Sequence, residues 1–378
     1  MTQPVELEKK PGFMSEAAFG TLLCVLSDVL FSVAYVFVQF INKLPAEIKP
    51  SGDWMLCFKE WIAAAFAIPI FLYLLRQGKT RLPGIRVFLM LLVATFFCEY
   101  VGITHHFMSY DFIGMAMGLP VIRTVTILGC TIFGALLLRE KITVLKVATV
   151  AVLVGATVIF GYCLNDIKKT KEAEKAAQVV TSTEVVNAAA VETPAEAVTS
   201  APVPAAEKET SYYGISISKS ALSQFGFYCA FITGLGYAIY TLILRVVLRK
   251  ANAAGADGKP VVPVSIYYVV SVVFGFGGLF GAVALLLKNR EQGLAAFQAA
   301  PQCWGYILAA GVLTFFAFYF KNLSLRYATA SKVATLSVVQ ILCQVMFGIL
   351  IFHDPTNAFF WAGVGLTVLG ILLASRTN

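Results

Sequence analysis

The sequence predicts an all-α integral membrane protein with ten transmembrane helices, arranged as two inverted five-helix repeats. Three observations support this: a large apolar excess, ten long apolar runs, and a polar segment that divides these runs into two groups of five. The chain is 58% hydrophobic and only 13% charged, with a mean hydropathy of +0.79, whereas a soluble protein is about a quarter charged. No soluble core encloses that much apolar surface, so the side chains require a lipid solvent.

Each apolar run is long enough to cross a bilayer. A spanning helix needs about 20 apolar residues, because the hydrocarbon core is about 30 Å thick. The runs lack the alternation of β-strands, which indicates helices. The predicted spans are 16–41, 54–75, 86–108, 112–138, 143–163, 220–248, 262–287, 303–322, 329–352 and 357–375. The breaks at Ser109–Asp111 and Arg326–Tyr327 rest on length, since a helix of about 50 residues would far exceed the bilayer.

The polar segment covers residues 165–218 and is rich in Ala, Glu, Thr, Val and Pro. It has no sustained apolar face, so we predict a disordered linker with a short helical start at KKTKEAEKAA. The linker separates a first five-span repeat, residues 1–164, from a second one, residues 219–378.

Orientation follows from the basic residues, because Lys and Arg accumulate in the short cytoplasmic loops of membrane proteins. With the N-terminus in the cytoplasm, most Lys and Arg of the short loops fall on the cytoplasmic side. We therefore predict a multi-pass protein of the cell membrane with both termini cytoplasmic and the linker on the other side. The net charge of +8 belongs to these loops. No basic stripe with interleaved aromatics indicates nucleic-acid binding.

The two halves end alike. ALLLREKITVLKVATVAVLVGATVIFGY places Glu140 before Gly155, and ILIFHDPTNAFFWAGVGLTVLGILLAS places Asp354 before Gly370, at spacings that agree to within one residue. Because each half has five predicted spans, the halves would have opposite orientations. Such inverted repeats are common in secondary transporters, whose substrate sites lie near the midplane between the halves.

These patterns resemble the drug/metabolite transporter superfamily, in particular its EamA-like ten-span members. LLLREKIT is similar to the turn that ends each repeat of that family, and LSLRYATASKVATLSVVQ is similar to its second-half pattern. The resemblance covers both halves but not the linker, and it implies a transporter. The chain departs from the family where Pro120 lies early in span four, where Gln340 stands near an expected proline, and where His353-Asp354-Pro355 replaces Gly-Glu.

Five charged residues lie inside the predicted spans and away from their ends: Asp28, Lys59, Glu60, Glu99 and Arg123. A charge at the bilayer centre costs at least about 2.5–3.5 kcal/mol, so such residues face the bundle interior and have partners. All five belong to the first half; Lys59 is also a plausible match to a basic residue in the family's second span. One interpretation is a substrate site with a carboxylate that takes up a proton. The other is a set of structural ion pairs, such as Arg123 with Glu99.

The second half offers polar rather than charged candidates. Tyr237 lies mid-span beside Gly234 and Gly236, and glycines there permit close helix packing or local unwinding. Gln340 needs a hydrogen-bond partner in hydrocarbon, so it is expected to face inward, toward substrate or another helix. The pair His105–His106 is expected at the membrane interface.

Together these features predict a secondary active transporter that moves a small polar metabolite, an amino acid or an organic anion by alternating access. Transport would be coupled to protons or proceed by exchange, in a monomer or homodimer surrounded by lipid. The chain has no GxSxG, HExxH or clustered Asp motif, so we do not expect an enzyme, and we expect no cofactor and no metal site. The alternative is a channel-like or structural multi-pass protein.

Overall fold

A computed structural model of the chain describes residues 15–137, 143–189, 210–212, 215–217, 221–251, 265–327 and 336–376. A π-helix, Phe96–Ile103, joins α3 to α4, and a 3-10 helix, Gly293–Phe297, precedes α8. The α-helices are α1 Glu16–Asn42, α2 Gly52–Arg76, α3 Ile85–Thr95, α4 Thr104–Leu137, α5 Val144–Ala189, α6 Leu222–Ala251, α7 Ile266–Lys288, α8 Pro301–Tyr327, α9 Val338–Phe352 and α10 Ala358–Ser375.

The predicted membrane class is confirmed. Seven helices of the described ranges are long and apolar enough to cross a membrane. One of them, Ile85–Leu136, has 52 residues, about twice the length that one crossing needs. Two further apolar helices, Val338–Phe352 and Ala358–Leu373, are shorter than 18 residues. The protein is therefore a multi-pass helical membrane protein, and the number of ten crossings stays a prediction.

The long helix is interrupted at Gly114, not at the predicted Ser109–Asp111. Gly114 has φ +80° and ψ 167°, a conformation outside the helical region, and one that only glycine adopts readily. Ser109 and Tyr110 instead continue the helix and are buried. Residues Ser109–Asp111 resembled a loop in the sequence, but their polar side chains find hydrogen-bond partners within the bundle. The helix is instead interrupted at a glycine, which tolerates the non-helical conformation.

Helices of the first half pair with helices of the second. Helix α1 packs on α8, α2 on α7, α4 on both α6 and α9, and α5 on α10, while α3 and the π-helix pack on α6. Small residues bring these pairs together: a Cβ at Gly236 would meet the Phe97 carbonyl at 2.6 Å, and one at Gly234 would meet Val125 at 2.6 Å. Of the two roles predicted for these glycines, close packing is the one observed, and α6 is helical throughout.

Part of the predicted linker is ordered. Helix α5 continues to Ala189, so it contains the expected helical start KKTKEAEKAA and also the flanking residues of 165–189, which were expected to be disordered. Ala, Glu and Lys are strong helix formers, and no glycine or proline interrupts them here. Two three-residue strands, Thr210–Tyr212 and Ile215–Ile217, pair antiparallel before α6. The linker between 190 and 209 lies outside the described residues.

Candidate functional site

Arg123 and Gln340 join the two halves inside the bundle. Arg123 lies on α4 beyond the Gly114 break, and Gln340 is buried near the start of α9. The Arg123 guanidinium donates a hydrogen bond through Nη2 to Gln340 Oε1, while its buried Nε has no hydrogen-bond partner among the described residues. The prediction that Gln340 faces inward is thus correct, and its partner in this conformation is an arginine.

The alternative of an ion pair between Arg123 and Glu99 is wrong. No carboxylate within the described ranges lies within 4.0 Å of the Arg123 guanidinium. An arginine carries five N–H donors and stays charged in proteins. Arg123 therefore keeps a positive charge and unused donors inside the bundle, which is an arrangement suited to binding an anion.

Asp28 is paired with a residue that the sequence did not indicate. Lys321 of α8 donates a 2.8 Å hydrogen bond to Asp28 Oδ1, and Cys24 of α1 lies beside both groups. Asp28 is fully buried, whereas the Lys321 side chain is 24% exposed. The expectation that all intramembrane charges belong to the first half is therefore wrong. Helix α8 extends to Tyr327, beyond the predicted end of the span at 322, so Lys321 lies further from the helix end than predicted.

Lys59, Glu60 and Glu99 form a second charged group. The Lys59 ammonium and Glu60 Oε1 form an ion pair in which both side chains are at most 3% exposed. Glu99, on the π-helix, is also buried and interacts electrostatically with both residues. Glu60 Oε1 contacts the Lys59 ammonium, whereas Glu60 Oε2 and Glu99 Oε2 have no hydrogen-bond partner in the described part of the chain. The sequence correctly predicted that these three charges face the interior.

An aromatic wall lies between the two charged groups; we define it as Tyr35, His106, Tyr110 and Tyr237. The His106 ring is 4.4 Å from the rings of both Tyr35 and Tyr110, and its Nδ1 is 2.9 Å from the Tyr237 hydroxyl. The Tyr110 hydroxyl donates to Gln344 Oε1. His106 is 1% exposed, so its ring packs inside the bundle.

Two residues of the aromatic wall, His106 and Tyr35, interact with charged residues of the bundle. His106 interacts electrostatically with both Arg123 and Lys59, and Tyr35 interacts with Lys59, Glu60 and Glu99. Arg123 also acts on Asp28. All seven residues that the sequence singled out thus belong to one connected polar region, which Lys321 and the aromatic wall complete.

Two ion pairs and an amide hydrogen bond link the helices at one end of the bundle. Lys49 contacts Asp111 at 2.5 Å, and Lys288 contacts Asp53 at 2.7 Å. On α1, the Asn42 amide donates to the Phe107 carbonyl at 3.1 Å. These bonds link the ends of α1, α2, α4 and α7 that the orientation rule assigns to the non-cytoplasmic side. No group of three or more His, Cys, Asp or Glu suited to a metal ion occurs in the described part of the chain.

Comparison with known proteins gives a partial match. Residues 224–376 match the model of the EamA-like transporter family. No curated protein matches the chain. Among solved structures 17 chains match. One of them, described only as the crystal structure of a protein, is 12% identical, covers 95% of this chain and 98% of its own length, and has a TM-score of 0.51. Such a likeness concerns the fold alone. The family match confirms the resemblance seen in the sequence over residues 224–376, the part of the chain that matches the EamA-like transporter family.

Proposed function

We propose that the protein is a secondary active transporter that moves a small polar metabolite, an amino acid or an organic anion across the cell membrane by alternating access. The observation that carries this proposal is the position and partner of Arg123. Its guanidinium lies within the helical bundle, bonds only to the neutral amide of Gln340, and has no carboxylate partner within the described ranges. Charged groups inside a membrane protein have partners or serve substrates. The anionic group of the solute supplies the missing partner here.

The pairing of helices supports two related halves. In two related halves, α1 corresponds to α6, and the helical segment 85–113 corresponds to α8. The contact of α1 with α8 should then have a counterpart between α6 and segment 85–113, and both contacts are present. Three further contacts join a helix to its own counterpart in the other half: α2 with α7, α4 with α9 and α5 with α10. This symmetry supports an inverted repeat, and in such repeats substrate sites lie at the interface between the halves. The Arg123–Gln340 bond crosses that interface.

The closed end supports alternating access. We infer that the pairs Lys49–Asp111 and Lys288–Asp53 close one side of the polar region, whereas Arg123 and Lys321 are partly exposed. With both termini cytoplasmic, the closed side is the non-cytoplasmic one. This conformation would therefore exchange solute with the cytoplasm.

The test is counterflow in liposomes that contain the purified protein, with labelled malate, phosphoenolpyruvate, glutamate and threonine as probes. We expect at least one probe to exchange faster than in empty liposomes and to saturate with concentration. Arg123→Ala should abolish this exchange, and Arg86→Ala, at the exposed start of α3, should retain it. No exchange above the empty-liposome rate for any probe, or equal exchange in the Arg123→Ala variant, would contradict the proposal.

The alternative is a channel-like or structural protein. The same liposomes separate these possibilities, because flux through a pore rises almost linearly with solute concentration and shows no counterflow. An asymmetric polar region inside the bundle with two separate cationic residues, the half-buried Arg123 and the buried Lys59, favours a binding site over a pore.

A further inference from the structure

The group formed by Lys59, Glu60 and Glu99 does not balance in charge. It holds one ammonium and two carboxylates, all at most 3% exposed. Lys59 pairs with Glu60, and Glu60 and Lys59 are also the charges that act on Glu99. With all three groups ionised, the group carries a net charge of −1 in a region from which water is excluded. Two carboxylates that share a low-dielectric site do not both ionise readily, because their charges repel each other.

Within the described ranges, the neighbouring helices do not supply the missing positive charge. Glu99 and Glu60 are faced by Tyr35 of α1, Cys98 of the π-helix, and Tyr237 and Tyr240 of α6. All of these are neutral when protonated. On α7, the side chain of Glu99 packs against Gly277, where an added Cβ would lie 2.7 Å from Glu99 Cγ.

His106 of α4 is the remaining titratable group nearby. A positive charge on its ring would be repelled by both Lys59 and Arg123, which act on it together. Its Nδ1 is within hydrogen-bond distance of the Tyr237 hydroxyl. The ring therefore serves as a neutral hydrogen-bonding partner and does not compensate the carboxylates.

Two oxygens of the pair are available to a ligand. Glu60 Oε2 and Glu99 Oε2 are buried without a hydrogen-bond partner among the described residues, whereas Glu60 Oε1 contacts the Lys59 ammonium. Two ligands fit unpaired carboxylate oxygens: a metal cation or a proton. The Lys59 ammonium contacts Glu60 directly and would repel a metal ion. A proton needs no coordination shell and brings the net charge of the group to zero.

We propose that Glu60 and Glu99 share one proton and that this proton is the coupling ion of transport. The proton forms one carboxyl O–H bond, which is shared by the pair and belongs to neither residue alone. It leaves when the group opens to the opposite side of the membrane, because the exposed carboxylates are then stabilised by water. The coupling rests on the transport function proposed above, whereas the proton site does not.

Infrared spectroscopy of the purified protein tests the proton site without any solute. A protonated carboxyl has a C=O stretching band that an ionised carboxylate lacks. We expect this band in the wild type at neutral pH, its loss in Glu99→Gln and in Glu60→Gln, and its retention in Asp111→Asn, which removes a carboxylate of α4 that pairs with Lys49 outside this group. Lys59→Gln should strengthen the band, because a second carboxylate then lacks its ammonium.

Two results would overturn the proton site: absence of the band from the wild type at neutral pH, or its persistence in both glutamine variants. Loss of the wild-type band when sodium chloride replaces choline chloride would assign the pair to a metal cation instead. The Lys59→Gln variant keeps the proposal testable if a glutamate variant fails to fold.

Transport then tests the coupling. In liposomes, Glu99→Gln should lose accumulation driven by a pH gradient while it keeps counterflow of the same labelled probe. Gradient-driven accumulation that persists in Glu99→Gln after the band is lost would refute the coupling. Absence of counterflow from the wild type would instead refute the proposed function and leave the proton site standing.

Discussion

The Asp354 carboxylate accepts a 2.9 Å hydrogen bond from the backbone N–H of Ala116, so a residue of the α9–α10 loop caps a helix of the first half. The cap is needed because the break at Gly114 exposes the N–H groups of the residues that follow it. His353 positions the carboxylate by adopting a left-handed conformation, φ 54°, at the end of α9. A carboxylate at a helix N-terminus is also favoured by the helix dipole.

Replacing Asp354 with alanine should therefore destabilise the protein by about 0.5–2 kcal/mol, the usual cost of losing an N-terminal cap. Asp354→Asn keeps an acceptor oxygen and should lose less. Thermal unfolding in detergent, followed by circular dichroism, compares the two variants with the wild type. Equal melting temperatures for Asp354→Ala and the wild type would show that the bond contributes nothing to stability.

Gly114→Ala should be more damaging than the loss of the cap. A non-glycine residue at φ +80° and ψ 167° costs on the order of 1–3 kcal/mol in backbone strain. An added Cβ would also lie 2.5 Å from the Asp354 carboxylate, so the cap itself would be displaced. Gly161→Ala is the matched control, since Gly161 is helical and has open space around it. We expect a large fall in melting temperature for Gly114→Ala and none for Gly161→Ala.

Much of the bundle could be predicted from the sequence, because apolar length alone determines where helices form in a membrane. The break at Gly114 could not. In the sequence, Ser109–Asp111 carries more polar groups than Gly114, yet Ser109 satisfies its hydroxyl on the His106 carbonyl at 2.8 Å and stays helical. The signal that was available is the glycine itself, near the centre of a run too long for one crossing.

Some residues of the candidate site could also be predicted from the sequence, and others could not. Mid-span charges such as Arg123 stand out against apolar neighbours, and these were found. Lys321 was missed because it lies close to a helix end, where a lysine usually extends to the interface; here it turns inward to Asp28. His106 and Tyr110 were missed although their spacing of four residues places both on one helix face.

The Asp28–Lys321 pair should respond unequally to the removal of each partner. Lys321→Gln leaves a fully buried carboxylate without its ammonium, whereas Asp28→Asn leaves an ammonium that is already partly exposed. Removing one partner of a fully buried pair costs about 3–5 kcal/mol, and the partial exposure of Lys321 lowers that cost for Asp28→Asn. The double variant should be more stable than Lys321→Gln alone. Melting temperatures of the three variants test this order, and a double variant less stable than both single variants would contradict it.

Gln340→Glu tests whether Arg123 binds the anion of the solute. The change keeps the size of the side chain but places a carboxylate where Arg123 now meets a neutral amide. The internal carboxylate would occupy the guanidinium and compete with the solute. We expect counterflow of anionic probes to fall at least about tenfold, the factor that corresponds to 1.4 kcal/mol of lost binding, with no loss of thermal stability.

The effect should reverse as the pH falls, because protonation of the introduced carboxyl restores a neutral partner for Arg123. Gln224→Glu, on the exposed start of α6, provides the same chemical change away from the site and should leave counterflow intact at every pH. Were Gln340→Glu to exchange anionic probes as fast as the wild type at neutral pH, Arg123 would not be their binding partner. The solute would then have to be sought at Lys59, the other cation beside the aromatic wall.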